Sequence, residues 1–317
     1  MASRLDPKNC PDLNVSNHLI GNLEGLAEAW KRDGYWFFRD VLDRDAVAAF
    51  RQSYVNELAR QGVLDPEDPA SRYNGKPFDA AAFRNHFRYG DSWKSFVETP
   101  AIHDFFRTLL GEEPHWIANI AYRGTPPNGE PDGDRTLFIH QDGVLNPGIP
   151  FFVTWVPLAA VTPDMGGVAL ATGLNDGTVF HRIEDGIYQG IDIDQIAPDR
   201  WRHSEYQPGD LLMMDIMTPH TGLTNISDRF RLSVDLRVMR DSGNKPAIGV
   251  LSAINDNSVT VRTDDGELSF VVDDDTYYRG LDGKRLKPHE IPALFSVGTP
   301  VLIGQVDGRA RMIRPPH

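Results

Sequence analysis

The chain has 317 residues, of which 40% are hydrophobic and 24% charged, which suits one large globular domain or such a domain with a small appendage. A formal net charge of −13 argues against a phosphate-backbone partner, and the single cysteine, Cys10, excludes an internal disulfide framework and a cysteine-based metal site. No apolar run reaches the roughly 18 residues of a membrane span, and the polar stretch 1–17 lacks a signal-peptide core, so the cytoplasm is the expected compartment.

In chain order, residues 1–20 read as a loosely ordered lead-in. Leu23 to Asp33 has helical spacing, with Leu23, Leu26, Ala27 and Trp30 on one face and Gly34 as its stop. Tyr35 to Phe38 reads as a short strand. Asp43 is an N-cap candidate for a helix carrying Val47, Phe50, Tyr54 and Leu58. Residues 62–90 read as polar and irregular, with Arg84, His86 and Arg88 close together, on a solvated loop rather than against an anionic substrate. A further helix is expected over Ile102 to Leu110.

From His115 the texture changes to strands and turns. The β-like runs are His115–Tyr122, Thr136–Gln141, Phe151–Val156, Val168–Ala171, Leu211–Met214 and Leu232–Val238. Many short strands after an N-terminal helical part predict a mainly β fold, a double-sheet barrel buttressed by helices. The chain breaks again near Asp241–Pro246. Beyond it, Ile248–Ile254, Ser258–Thr263, Leu268–Val272 and Pro300–Val306, with a turn at Asp264-Asp265-Gly266, predict a small β-barrel-like module. The expected division is therefore 1–245 and 246–317.

His140-Gln141-Asp142 carries the chemistry. Side chains at i and i+2 of a strand share a face, so His140 and Asp142 at the end of a strand would reach one metal. Alone the triplet is weak, since ten His in an Asp-rich chain give about one by chance. Three further features strengthen it. His220 sits in the polar bend Thr218-Pro-His-Thr-Gly222 after an apolar strand. Arg231 opens a strand on which Arg231, Ser233, Asp235 and Arg237 share one face and Leu232, Val234, Leu236 and Val238 the other. A polar face on an interior strand needs partners, and a bound carboxylate is one. Finally, two imidazoles and one carboxylate leave positions open on a metal, the pattern of redox iron rather than of closed structural zinc.

Asp33-Gly34-Tyr35, His140-x-Asp142, Thr154-Trp155-Val-Pro-Leu158, Thr162-Pro-Asp-Met-Gly-Gly167, Pro208-Gly-Asp210, His220, Asn225-x-Ser227 and Arg231 follow one another in a pattern that resembles the phytanoyl-CoA dioxygenase family of Fe(II)/2-oxoglutarate oxygenases, over about residues 23–240. The resemblance implies a double-stranded β-helix and a non-haem iron hydroxylase using Fe(II), 2-oxoglutarate and dioxygen. It implies His140, Asp142 and His220 as iron ligands, Arg231 as the residue gripping the distal carboxylate of 2-oxoglutarate, and Trp155 lining the co-substrate pocket. A Ser that often follows the distal His by two positions is replaced by Gly222, so Thr221 and Ser233 become candidate co-substrate contacts. Asp142 favours hydroxylation, desaturation, epoxidation or ring formation over halogenation, because halogenating relatives lack this carboxylate.

Gln141 points away from its neighbours in a regular strand and reads as a residue that packs or hydrogen-bonds outside the site. Arg237 is expected to pair with Asp235 or Asp215, and the other histidines, His203 among them, read as structural or surface residues. A free small molecule, such as a specialised metabolite, suits the acidic chain better than an acyl-CoA. The C-terminal module could pack on the barrel, cover the site or mediate a homo-oligomer, and the sequence leaves all three open. Competing readings are a non-redox metal enzyme of related barrel shape and a non-catalytic binding relative.

Overall fold

In the computed structural model, which describes residues 5–88, 90–127, 138–184, 187–280 and 285–316, the apolar spacing of the first hundred residues becomes five helices and one strand. These are α1 (Leu23–Asp33), β1 (Tyr35–Phe38), α2 (Arg44–Arg60), α3 (Ala80–Arg88), α4 (Ser92–Val97) and α5 (Pro100–Leu110). The capping residues act as their types dictate. Asn22 and Asp43 accept from Gly25 N–H and Ala46 N–H at the starts of α1 and α2. Gly34 and Gly111 end α1 and α5 at φ 78° and 76°, where a side chain would be strained.

Three expectations change here. The buried stripe of α1 is Leu26, Ala29 and Asp33, so Leu23 and Ala27 lie exposed. Residues 80–88, expected as loop, are helix α3: Phe83 and Phe87, one turn apart, pack against Tyr54 at ring distances of 5.1 and 4.8 Å. Arg84, His86 and Arg88 occupy its solvent side, with His86 3.5 Å from Glu57. The lead-in is also ordered within the described residues. Leu13 is buried, Ser16 N–H donates to the Phe37 carbonyl, and Val15 bridges Phe37 in parallel.

The middle of the chain supplies β2 (Pro114–Thr125), α6 (Asp142–Leu145), β3 (Phe152–Pro157), β4 (Gly167–Ala171), β5 (Ile183–Glu184), β6 (Ile187–Tyr188), β7 (Trp201–Arg202), β8 (Leu211–Met214), β9 (His220–Leu223) and β10 (Arg231–Arg240). One sheet runs β1-β8-β3-β10-β2 and a second runs β7-β4-β9, with antiparallel pairing throughout both. This is the expected double-sheet architecture with helices against one sheet. Leu232, Val234, Leu236 and Val238 of β10 join the core formed with α1, α2, α3 and α5, while the alternate residues turn to the other face.

The remaining strands are β11 (Ala247–Asn255), β12 (Ser258–Thr263), β13 (Gly266–Val271), β14 (Tyr277–Tyr278), β15 (Pro300–Val306) and β16 (Arg309–Arg314), with the short helix α7 (Ile291–Leu294). Their order is β13-β12-β11-β15-β16-β14, and a further β13–β16 pairing closes five strands into a barrel with its own core around Leu251, Val261, Val301 and Ile303. The chain divides into two compact units, Met1–Gln141 with Phe151–Phe180 and Gly190–Arg240, and Asp142–Pro150 with His181–Gln189 and Asp241–His317. Among the described residues, no helix is long and apolar enough to cross a membrane.

Gly34 does more than end a helix. Its carbonyl accepts from Asp215 N–H (2.9 Å) and Thr218 Oγ1 (2.8 Å), and a Cβ there would lie 2.5 Å from Thr218 Oγ1. Gly34→Ala is therefore expected to lower stability by about 1–3 kcal/mol. A reduced urea midpoint at unchanged slope checks this; a midpoint equal to wild type would mean the turn yields freely.

Candidate metal centre and co-substrate cavity

His140 and His220 face each other across a reciprocal backbone pair: His140 N–H donates to the His220 carbonyl at 2.9 Å, and His220 N–H donates back at 3.0 Å. Residues paired this way project to the same side, and the two ring centroids lie 4.3 Å apart. Each ring is fixed from behind. His140 Nδ1 lies 3.0 Å from the Phe138 carbonyl and His220 Nδ1 3.0 Å from the Thr218 carbonyl. A carbonyl only accepts, so Nδ1 carries the proton and each Nε2 keeps its lone pair for a metal.

Asp142 completes the set. One donor atom from each of His140, Asp142 and His220 lies within 4.8 Å of the others; Asp142 and His220 are buried and His140 is half-buried. The route differs from the expected strand. Ile139 and His140 form isolated bridges to Ile191 and His220, residues 136 and 137 lie outside the described residues, and Asp142 opens the helical turn α6. Asn146 Nδ2 donates to the Asp142 carbonyl at 2.9 Å, closing that turn. His220 likewise opens strand β9 instead of lying in a bend. The turn before it is tied down by Asp215, whose carboxylate accepts from Met217 N–H (2.7 Å) and Trp30 Nε1 (2.9 Å). Burial outweighs these bonds and pushes the Asp215 carboxyl above its ordinary range.

Arg231, Ser233 and Asp235, the polar face of β10, line one cavity with His140, His220 and Trp155. Its empty space, open mouth included, is about 430 Å³. Arg231 is buried, and its Nη1 donates to the Met165 and Leu223 carbonyls at 2.8 and 2.6 Å, which sets the plane of the guanidinium. Gly166 makes this possible. At φ 82°, a Cβ there would sit 2.6 Å from the Leu223 carbonyl oxygen and 2.8 Å from Arg231 Nη1. His203 is buried, and desolvation pushes its imidazole below the ordinary range; its Nε2 lies 2.7 Å from the Gly166 carbonyl and supports the same turn.

Ser233 Oγ is buried without a hydrogen-bond partner among the described residues. A buried hydroxyl left unsatisfied beside a buried Arg is what a carboxylate would complete. Trp155 both lines the cavity and packs edge-on to Tyr206 at 4.7 Å. Thr221 is absent from the cavity lining. On strand β9 the inward positions are His220 and Gly222, so Thr221 alternates to the opposite face.

Sequence reasoning missed Arg123. It stands opposite Ser233 in the β2–β10 register, and its Nε and Nη2 both donate to Asp235 Oδ2, at 2.7 and 2.5 Å, inside the cavity. Only the register reveals it, because β2 has no clean burial alternation. Arg237 therefore does not pair with Asp235 or Asp215. It donates to the Asn119 carbonyl and stacks over Phe151. The Asn225-x-Ser227 stretch is an Asx turn before β10, in which Asn225 donates to the Thr125 and Arg229 carbonyls.

The phytanoyl-CoA dioxygenase (PhyH) family model matches residues 30–233, more than half of the chain. The chain belongs to the phytanoyl-CoA dioxygenase family. Its class is that of the iron- and 2-oxoglutarate-dependent dioxygenases, and the His-Asp-His cluster is the donor set such a metal needs. The chain is similar to the 1-deoxypentalenic acid 11-beta-hydroxylase of Streptomyces arenae, 26% identical over 245 residues that cover 72% of this chain and 84% of the relative. Among solved structures it is similar in fold to EctD from S. alaskensis with 2-oxoglutarate and 5-hydroxyectoine, at a TM-score of 0.50 and 20% identity over 78% of this chain and 85% of that one. It is similar also to the non-heme monooxygenase ThoJ, at a TM-score of 0.50 and 19% identity over 76% and 85%.

The hold on Arg231 gives a prediction. Arg231→Ala removes the buried guanidinium and is expected to weaken 2-oxoglutarate binding by at least about 30-fold, the lower end for losing one member of a buried charged pair. Anaerobic 2-oxoglutarate titration of the iron-loaded protein measures it. An affinity within threefold of wild type would make Arg231 a structural residue only.

Proposed function

We propose that this protein hydroxylates an unactivated C–H bond of a small organic metabolite, converting 2-oxoglutarate and dioxygen to succinate and carbon dioxide. In this reading His140, Asp142 and His220 hold Fe(II), and Arg231, Ser233 and Trp155 receive the co-substrate. The observation that carries it is the juxtaposition of a three-donor cluster with the Arg231–Ser233 face. Bound there, ferrous iron supplies dioxygen activation coupled to oxidative decarboxylation of 2-oxoglutarate.

The chain's own residues supply the rest. Protonated Nδ1 atoms on both imidazoles keep the rings in one tautomer and orientation. Asp142 contributes the only carboxylate of the donor cluster and fills the position that halide would need. Arg231 offers a fixed cation for a carboxylate in a charge-assisted pair, and the orphaned Ser233 hydroxyl offers a hydrogen bond beside it. Val153, Val168 and Met214 give the cavity apolar walls that exclude water, and the Arg123–Asp235 pair adds a polar spot with no net charge. That suits a substrate with an apolar body and one polar group. The relatives named as hydroxylases of an acid support hydroxylation of a small organic molecule. We assign this activity to residues 1–245 and read 246–317 as an appended module, since the family match ends before it.

The test is dioxygen-dependent formation of succinate from 2-oxoglutarate by the Fe(II)-loaded protein, first alone and then against a metabolite panel. Wild type should form succinate only with dioxygen, and a productive metabolite should accelerate this and gain one oxygen atom. Asp142→Ala should lose at least about a hundredfold, as ligand and outer-shell losses at metal sites commonly do. Full turnover by Asp142→Ala would remove Asp142 from the ligand set.

A further inference from the structure

Gln141 stands in sequence between two members of the donor cluster and is fully buried. Its side chain is committed in three directions. Nε2 donates to the Met217 carbonyl at 2.7 Å and to the Thr178 carbonyl at 2.8 Å, and Oε1 accepts from Phe180 N–H at 3.0 Å. Met217 lies three residues before His220, in the turn that delivers that ligand. Thr178 and Phe180 belong to the segment after β4. There Thr178 N–H is capped by Asp176 at 3.0 Å, Val179 is 52% exposed, and the Phe180 ring packs partly buried on the cluster of Ile139, Ala169 and Ala171.

One carboxamide therefore joins three stretches of chain: the ligand segment 140–142, the turn before His220, and the segment 176–180. Only an amide side chain of this length supplies two donors and an acceptor in this arrangement. A carboxylate in its place would turn oxygen toward two carbonyl oxygens, and an apolar side chain would take these three part-buried bonds from the backbone. Ile139 and His140 each form a single bridge rather than a long ladder, so the Gln141 side chain adds to the restraint that the reciprocal His140–His220 backbone pair supplies.

We propose that Gln141 is a positioning residue that couples metal binding at His140, Asp142 and His220 to the order of residues 176–180. The coupling rests on the iron-site reading given above. A metal restrains residues 140–142 and His220 relative to each other. The same geometry is the one in which the Gln141 amide reaches Thr178, Phe180 and Met217 together. Linkage makes the effect mutual: metal binding steadies the segment, and loosening the segment weakens the metal. Gln141 touches no reacting atom, so its signature is metal affinity and segment order rather than co-substrate affinity.

Hydrogen exchange of the whole chain, with and without Fe(II) under anaerobic conditions, reads this directly. The Phe180 amide is bonded to Gln141 itself, so its exchange reports whether that bond opens. In wild type, Fe(II) should slow exchange in a peptide containing Phe180. In Gln141→Leu, Fe(II) affinity, measured by competition with a chromogenic chelator, should fall about tenfold. The Phe180 response to Fe(II) should vanish, while 2-oxoglutarate affinity at saturating iron stays within about twofold. Wild type that binds Fe(II) with no change at Phe180 overturns the coupling and leaves the iron site standing, whether or not the variant folds. Gln141→Leu with wild-type Fe(II) affinity overturns it as well. Wild type that binds no Fe(II) overturns the site reading itself.

Discussion

The reciprocal hydrogen bonds between the backbones of His140 and His220 are the constraint on which the candidate site depends. They place two imidazoles on one side with ring centroids 4.3 Å apart. Everything nearby protects that pairing. Phe138 and Thr218 carbonyls orient the rings, and Gly34 and Asp215 hold the turn before His220. The α6 turn then brings Asp142 to the same point. Helix α1 ends at Gly34 so that its last carbonyl can reach this turn, which links the helical part of the fold to the metal centre.

A second constraint is electrostatic. Arg231 is a charged group buried on an interior strand, and burial of a charge is costly unless it is paired and hydrogen-bonded. Two backbone carbonyls meet one edge of the guanidinium, reached through the glycine turn at 166–167. Ser233 beside it is left with an unsatisfied hydroxyl. In the function proposed above, a bound carboxylate would accept from both groups. Arg123 and Asp235 solve the same problem differently, by pairing with each other.

Much of this was legible in the sequence where burial is one-sided. The alternation of β10 separated Leu232, Val234, Leu236 and Val238 from Arg231, Ser233 and Asp235, because one face meets helices and the other a polar cavity. The same rule, applied to β9, would have set Thr221 aside. Asp142 reached the right neighbourhood by the wrong local structure, since it opens the α6 turn beyond the His140 bridge instead of ending a strand. Helix α3 was hidden because only Phe83 and Phe87 mark its buried side, and their partner Tyr54 is distant in sequence. Alternation turned Gln141 out of the site toward packing or hydrogen bonding but could not name its partners, and Arg123 carried no local signal. Their roles come from Met217, Thr178 and Asp235, residues brought near by topology rather than by spacing.

The central claim is that one Fe(II) binds at His140, Asp142 and His220 beside a 2-oxoglutarate held by Arg231. Anaerobic addition of Fe(II) and 2-oxoglutarate, followed in the visible range, tests it most directly. The account predicts a weak charge-transfer band that saturates at one iron per chain and is missing in His220→Ala. Wild-type protein without the band, or a His220→Ala variant indistinguishable from wild type, would contradict it.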